Sequence, residues 1–494
     1  MSRSSRHSFH RALRPLVAAG AFALACSVSV PALLPPPFDN AAADQSAGQP
    51  ILLLPTGIAV APTGQLLVVS SDLDQTYDSG TLLSFSKAFI DAFFTGPADQ
   101  VVRQDVLPRT PDVWAAMVPA YGGPLALDLT GTTAWVGSRT TNRATGVRLD
   151  TTTGQLSCVT GGGQDCRKGT VDLLNAVNLD GNVVALEGAY GVAAGLASRA
   201  GETRQHKVIF VASLVPHIDE IISGVLQAFG RVAAVIAEDE VADPAFPDAQ
   251  LLHAGDVLYS VDISSPTLSS AIGAGTVLFD KDRQQIILGG CYTRFTASSS
   301  GDPATGKCSA VSGLNPIRFV ETGAGSGAQV RVFDLTSTVR GNETTALVLG
   351  GEDAQGVPQV LYAVSRNPDV LVEIAMPRFP GQDPIVTRTV SLPVAPSNAI
   401  RLKRPAGHPG ADLIAVAGSL NGTLSIYDAG AGEVVAQVNG LGDYPFQLTQ
   451  LTDPGDRARL VATVFGSCSL AFVDVDYVQP WNARLRASIG KCRP

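Results

Sequence analysis

A weak pattern that recurs seven times constrains this chain more than any other feature. An apolar run ends in small residues, and a second apolar run follows after a loop. The first runs are Leu66–Ser71, Ala134–Ser138, Val208–Ser213, Ile286–Gly290, Leu347–Gly351, Ile414–Ser419 and Val461–Ser467. The second runs are Gly80–Phe85, Gly146–Asp150, Val257–Ile263, Val330–Leu335, Val360–Val364, Thr423–Tyr427 and Ser469–Val475. Repeated strand pairs of this kind predict the blades of an all-β propeller. All but the last two of the first runs start farther apart than the about 40–50 residues of compact blades. Insertions therefore separate the strands, the largest at 86–118, 215–256 and 291–327.

Composition fits a closed ring of buried strands. The 494 residues are 45% hydrophobic and 16% charged, with 50 Gly and 32 Pro, too apolar for a disordered chain and rich in turns. A formal charge of −9 argues against nucleic acid as a partner, because phosphate binding needs a basic face. Mean hydropathy is +0.19, yet no segment after residue 34 is a continuous apolar run long enough to span a bilayer. Two insertions are expected to be helical. Ile221, Ile222, Val225, Leu226, Phe229, Val232, Val235 and Ile236 place one apolar face along Asp219 to Asp239, and 86–94 suits a shorter helix.

The blade pattern is clearest at its starts. Pro55-Thr56-Gly57-Ile58-Ala59 leads into Leu66-Leu67-Val68-Val69, and Gly123-Pro124-Leu125-Ala126 leads into Ala134-Trp135-Val136. Pro396-Ser397-Asn398-Ala399 and Tyr444-Pro445-Phe446-Gln447-Leu448 open two more. These segments resemble the repeats of the YVTN and lactonase-like group of seven-bladed propellers, closely over 54–85, 121–154 and 396–476 and loosely over 172–370. The resemblance implies one seven-bladed β-propeller over 50–494, with helical and loop insertions. In lactonase-like relatives a Glu, Arg and His act together, or an acidic set holds a divalent metal. That set is not placed residue by residue in this sequence.

The first 26 residues read as an export signal. Arg3, Arg6, Arg11 and Arg14 precede a short apolar stretch, Leu16 to Ala25. Ala23-Leu24-Ala25-Cys26 resembles the bacterial lipobox, with Ala23 where that motif has Leu. The resemblance implies lipidation of Cys26 and, with Ser27 next, an outer-membrane lipoprotein; a periplasmic or secreted protein is the alternative. Residues 27–49 would be a Pro- and Ala-rich tether. Six of the seven cysteines then remain. Sequence proximity pairs Cys158 with Cys166, Cys291 with Cys308 and Cys468 with Cys492, in keeping with an oxidising compartment. The termini are expected to meet in one blade, with Leu52–Leu54 as a closing strand and Cys468–Cys492 fastening the other end.

Signatures of chemistry are sparse. There is no Gly-x-Ser-x-Gly elbow and no His-Glu-x-x-His. No metal site and no cofactor is expected. Asp72, Asp74 and Asp78 lack the Gly and terminal Glu of a calcium loop, and Gly161-Gly162-Gly163 and Gly323 to Gly327 read as turns. His206 and His408 read as surface residues; His217 stands beside Asp219 and Glu220, with a helix start as its simpler explanation. Polar residues following apolar strands can converge on a central channel. The candidates are Arg139, Asn142, Glu187, His217, Glu352 and Asp353. The functional expectation is a binding or scaffold module for an envelope protein, a glycan or a small ligand. An exported lactonase-like hydrolase is the alternative.

Overall fold

In the computed structural model the β-branched and Leu-rich runs form seven antiparallel sheets, each built on a path of four strands, set around a ring as blades 1 to 7. The structure describes Leu52 to Cys492 apart from 73–78, 98–99, 106–112, 223–224, 243–245, 247–249, 265–272, 291, 297–303, 308–315, 336–342, 378–381, 394, 406–409 and 453–455. Cys26, Asp74, Asp78, Cys291, Cys308 and His408 lie outside the described residues, as do the signal and the tether.

The innermost strands are Pro55–Val60, Gly122–Leu127, Ala189–Ala197, Thr276–Asp280, Glu343–Glu352, Pro396–Arg401 and Pro445–Gln450. Each packs beside the next around the channel. Every blade buries both faces, so strands such as Leu66–Ser70 and Leu413–Gly418 are buried along their whole length. One apolar cluster fills each gap between neighbouring blades: Val69 and Leu82 meet Val136 and Val147 between blades 1 and 2, and Leu361 meets Ile287 between blades 4 and 5. This accounts for the positive mean hydropathy. No described helix is long and apolar enough to cross a membrane.

The recurrent runs map onto this ring with local shifts. In blades 1, 2, 6 and 7 they are the second and third strands. In blades 3 and 4 the second run, Val257–Asp262 or Val330–Asp334, is the outermost strand. In blade 5, Leu347–Gly351 belongs to the innermost strand.

The helix expected over Asp219 to Asp239 is absent. His217–Ile222 and Val225–Phe229 form a hairpin, and Arg231–Ile236 is the third strand of blade 3. Its apolar spacing serves two faces. Val232, Ala234 and Ile236 pack toward blade 4, while Ala233 and Val235 pack toward blade 2. An alternating strand buried on both sides imitates a helical stripe when β-branched residues are frequent. The shorter helix does form, at Lys87–Asp91, capped by Ser86, whose hydroxyl accepts the Phe89 N–H.

That helix begins the segment that closes the ring. No strand forms at Leu52–Leu54, and blade 7 takes its four antiparallel strands from the C-terminal stretch alone. The excursion after the third strand of blade 1 crosses to blade 7 instead. Phe93 and Phe94 pack on Phe472 with ring centroids 5.0 and 5.7 Å away. The buried Arg486 donates to the Phe94 carbonyl at 3.1 Å and the Gly96 carbonyl at 2.5 Å. Val102–Gln104 then adds to Arg484–Ile489 as a parallel fifth strand. Leu52 fills the same seam beside Leu470 and Ile489, and Cys468 is bonded to Cys492.

This clasp predicts a localised effect. Phe94→Ala should cost about 3–5 kcal/mol and speed amide exchange in Arg484–Ile489 and Gly80–Phe85 first. Uniformly faster exchange in all blades would show that the crossing segment does not hold the seam.

Candidate functional site

One face of the ring is set by a device repeated at the blade starts. In five blades the residue before the innermost strand is left-handed: Leu54 at φ 48°, Tyr121 at 59°, Gly188 at 64°, Ala395 at 55° and Tyr444 at 58°. Its carbonyl faces the backbone just past the second strand. Leu214 N–H donates to Gly188 at 2.8 Å, Ser419 to Ala395 at 2.8 Å and Phe465 to Tyr444 at 2.9 Å. Serine hydroxyls reinforce it: Ser71 donates to the Leu54 carbonyl, Ser419 to Ala395, and Ser138 to Ala120. This is why the first runs end in small residues.

A β-bulge follows, between Pro55 and Ile58, Gly122 and Leu125, Ala189 and Gly191, Thr344 and Ala346, Pro396 and Asn398, and Pro445 and Leu448. A bulge re-aims the residues it spans. Here their side chains turn to the next blade or to the channel. Thr56 donates to the Gly122 carbonyl and Ser397 to the Pro445 carbonyl, at 2.8 and 2.6 Å. Asn398 Oδ1 accepts the Leu448 N–H, and Gln447 Oε1 accepts the Ile58 N–H across the closing seam.

Three cavities meet at this mouth, and Phe446 lines all of them. The channel cavity, about 360 Å³, is bounded by Tyr190, Glu343, Arg366, Asn398 and Gln447 among others. A second, about 190 Å³, lies among Thr56, Tyr121, Gly122, Arg139, Tyr190, Phe446 and Phe465. A third, about 430 Å³, opens between Arg366, Asp369, Leu420 and Tyr444. Arg366 stands 3.8 Å from Glu343, which is only 6% exposed, and donates from Nε to the Pro396 carbonyl at 2.7 Å. Burial pushes the Tyr190 phenol up to about 12. The charges of Arg139 and Arg366 pull it down and that of Glu343 raises it, so these groups from blades 2, 3 and 5 act on one another. The phenol therefore stays a hydrogen-bond donor at neutral pH.

The sequence candidates divide by face. Arg139 lines the mouth. Asn142, left-handed at φ 56°, accepts the Gly188 N–H at 2.7 Å and so ties blade 2 to the start of blade 3. Glu187 and His217 are brought together at 3.1 Å on the same face but line none of the three cavities. Glu352 and Asp353 sit at the opposite end of blade 5, since Glu343–Glu352 runs away from the mouth. Glu352 pairs with Arg401 at 2.6 Å, a hydrogen bond that holds its carboxyl below the usual range. Asp353 accepts the Gln355 and Val357 N–H groups of its own turn. His206 is not a surface residue. It is 3% exposed, with Nδ1 2.5 Å from Glu240 and Nε2 3.3 Å from Glu202. Cys158 bonds to Cys166 and Cys468 to Cys492. Among the described residues no cluster of three or more His, Cys, Asp or Glu could hold a metal ion.

Tyr190, Glu343, Arg366, Phe446 and Phe465 were not legible as a site. Their signal is positional: first or second residue of an innermost strand, or the last of a second strand and the one after it. Tyr444-Pro445-Phe446 reads as a blade start in the sequence, which puts Phe446 at such a position.

No protein-family model matches the chain, and no curated protein matches it. Solved structures similar to it include a periplasmic gluconolactonase of Pseudomonas aeruginosa (14% identity, 88% of this chain and 96% of that one, TM-score 0.45). Others are hydrazine synthase of Kuenenia stuttgartiensis (10%, 89% and 99%, TM-score 0.42) and dihydro-heme d1 dehydrogenase NirN (10%, 91% and 66%, TM-score 0.41). Identities this low concern the fold.

One close approach supports the mouth. A Cβ on Gly123 would lie 2.8 Å from the Tyr190 ring. Gly123→Ala should cost about 1–3 kcal/mol, and Tyr190→Ala in the same chain should recover most of that cost. Additive losses in this double-mutant cycle would remove the ring contact as the reason for a glycine.

Proposed function

We propose that this chain is an exported, lipid-tethered propeller that works as a binding module and holds a small ligand at the channel mouth. The observation that carries the reading is the convergence of Arg139, Tyr190, Arg366 and Phe446, from blades 2, 3, 5 and 7, on adjoining cavities. Pockets with a few placed polar groups among aromatic walls are the usual form of a small-molecule site. Among the described residues no His or Cys lines these cavities, which favours binding over hydrolysis by a nucleophile and its base.

Export is supported by the signal-like start and by two disulfides, which persist in oxidising compartments. Lipidation at Cys26 would tether the propeller to the envelope membrane, with the outer membrane favoured by Ser27. Cys26→Ser should move the protein from the membrane to the soluble fraction. A variant that stays membrane-bound would reject the lipid tether and leave the mouth untouched as a binding site.

A lactonase-like hydrolase is the second reading. It is favoured by the buried Glu343 beside Arg366 and the Tyr190 phenol. Hydrolysis of a lactone panel that disappears in Glu343→Gln, with the fold retained, would select it over binding alone.

A further inference from the structure

The 190 Å³ cavity differs from the other two in its chemistry. Tyr121, Tyr190, Phe446 and Phe465 wall it with rings, and Phe446 and Phe465 stand 6.1 Å apart at 36°. Its one charged lining residue is Arg139. The Arg139 guanidinium makes no ion pair and no hydrogen bond among the described residues; only its backbone N–H is engaged, by Tyr121. Glu343, the carboxylate in the charge balance at Tyr190, lines the channel cavity and lies beside Arg366.

Aromatic boxes usually receive cations, because ring faces are negative. This one already carries a cation in its wall, so a second would be repelled. Polyhydroxylated guests find few partners. The Thr56 hydroxyl already donates to the Gly122 carbonyl at 2.8 Å, which leaves the Tyr121 and Tyr190 phenols. The rest is apolar ring surface beside one open guanidinium, whose fork matches a carboxylate.

We propose that this box binds a small organic anion with a flat apolar body, an arenecarboxylate, with the carboxylate on Arg139 and the ring between Tyr190 and the Phe446–Phe465 wall. The inference rests on the reading of the channel mouth as a ligand site and names the ligand class for it. The volume suits one benzoate-sized ring and excludes a polymer.

The test titrates the full oxidised chain with benzoate, benzamide and benzamidine, isosteres that are anionic, neutral and cationic, by calorimetry and ligand-observed NMR. Benzoate should bind at least about tenfold tighter than benzamide, the difference expected of a charge-assisted pair; benzamidine should not bind. Arg139→Gln should abolish the preference for benzoate with little change in melting temperature, because the side chain is exposed and makes no hydrogen bond or ion pair among the described residues. Phe465→Ala should weaken benzoate and benzamide alike. Benzamidine binding as well as benzoate, or an unchanged preference in Arg139→Gln, would overturn the proposal. If neutral compounds alone bind and Phe465→Ala releases them, the ligand class falls and the mouth stands. If no compound of any charge responds to Arg139→Gln, Phe465→Ala or Arg366→Gln, both fall.

Discussion

The ring depends on one backbone interaction. A residue held in the left-handed conformation presents its carbonyl to the N–H just beyond the second strand, as at Ala395 with Ser419 and Tyr444 with Phe465. Left-handed φ at a non-glycine residue carries a conformational cost. Here the cost is offset by pairing groups that would otherwise be buried without partners. The contact fixes where the innermost strand starts. The start fixes the bulge, and the bulge decides which side chains leave the sheet for the channel. Tyr190 and Phe446 face the mouth because each is the second residue after such a contact.

Much of this was visible in the sequence, because the contact needs small residues at one end. Ser71, Ser138, Ser213 and Ser419 closed the apolar runs, and their periodic return gave the blade number. Strand identity within a blade was less legible. Val257–Asp262 and Arg231–Ile236 have similar composition and both are buried on two faces, so nothing local distinguishes third strand from fourth. The same double burial disguised Arg231–Ile236 as a helix.

The site was legible only in part for a different reason. Arg139 follows a second strand directly, so its place could be read along the chain. Arg366 ends the second strand of blade 5, directly after Ser365, but in the sequence the apolar run Val360–Val364 reads as the second of its pair, so its end is not recognised as a mouth position. Glu352 and Glu343 are ends of one long strand, Glu343–Glu352, and only the direction of that strand separates mouth from far face. His206 shows the limit of composition. Its neighbours Arg204, Gln205 and Lys207 suggest solvent, yet Arg204 and Glu240 pair at 2.9 Å and bury it.

The crossing segment has a consequence for biosynthesis. Phe93 and Phe94 emerge early, and Phe472 and Arg486, their partners across the seam, emerge last; Arg486 and Phe94 are 392 residues apart. Until the final blade is made, these two rings lack the Phe472 side of their packing. A chain that stops short of blade 7 therefore leaves two phenylalanines part-covered and a strand edge unpaired, the kind of surface that chaperones and proteases recognise. The same feature that locks the finished ring marks every unfinished one.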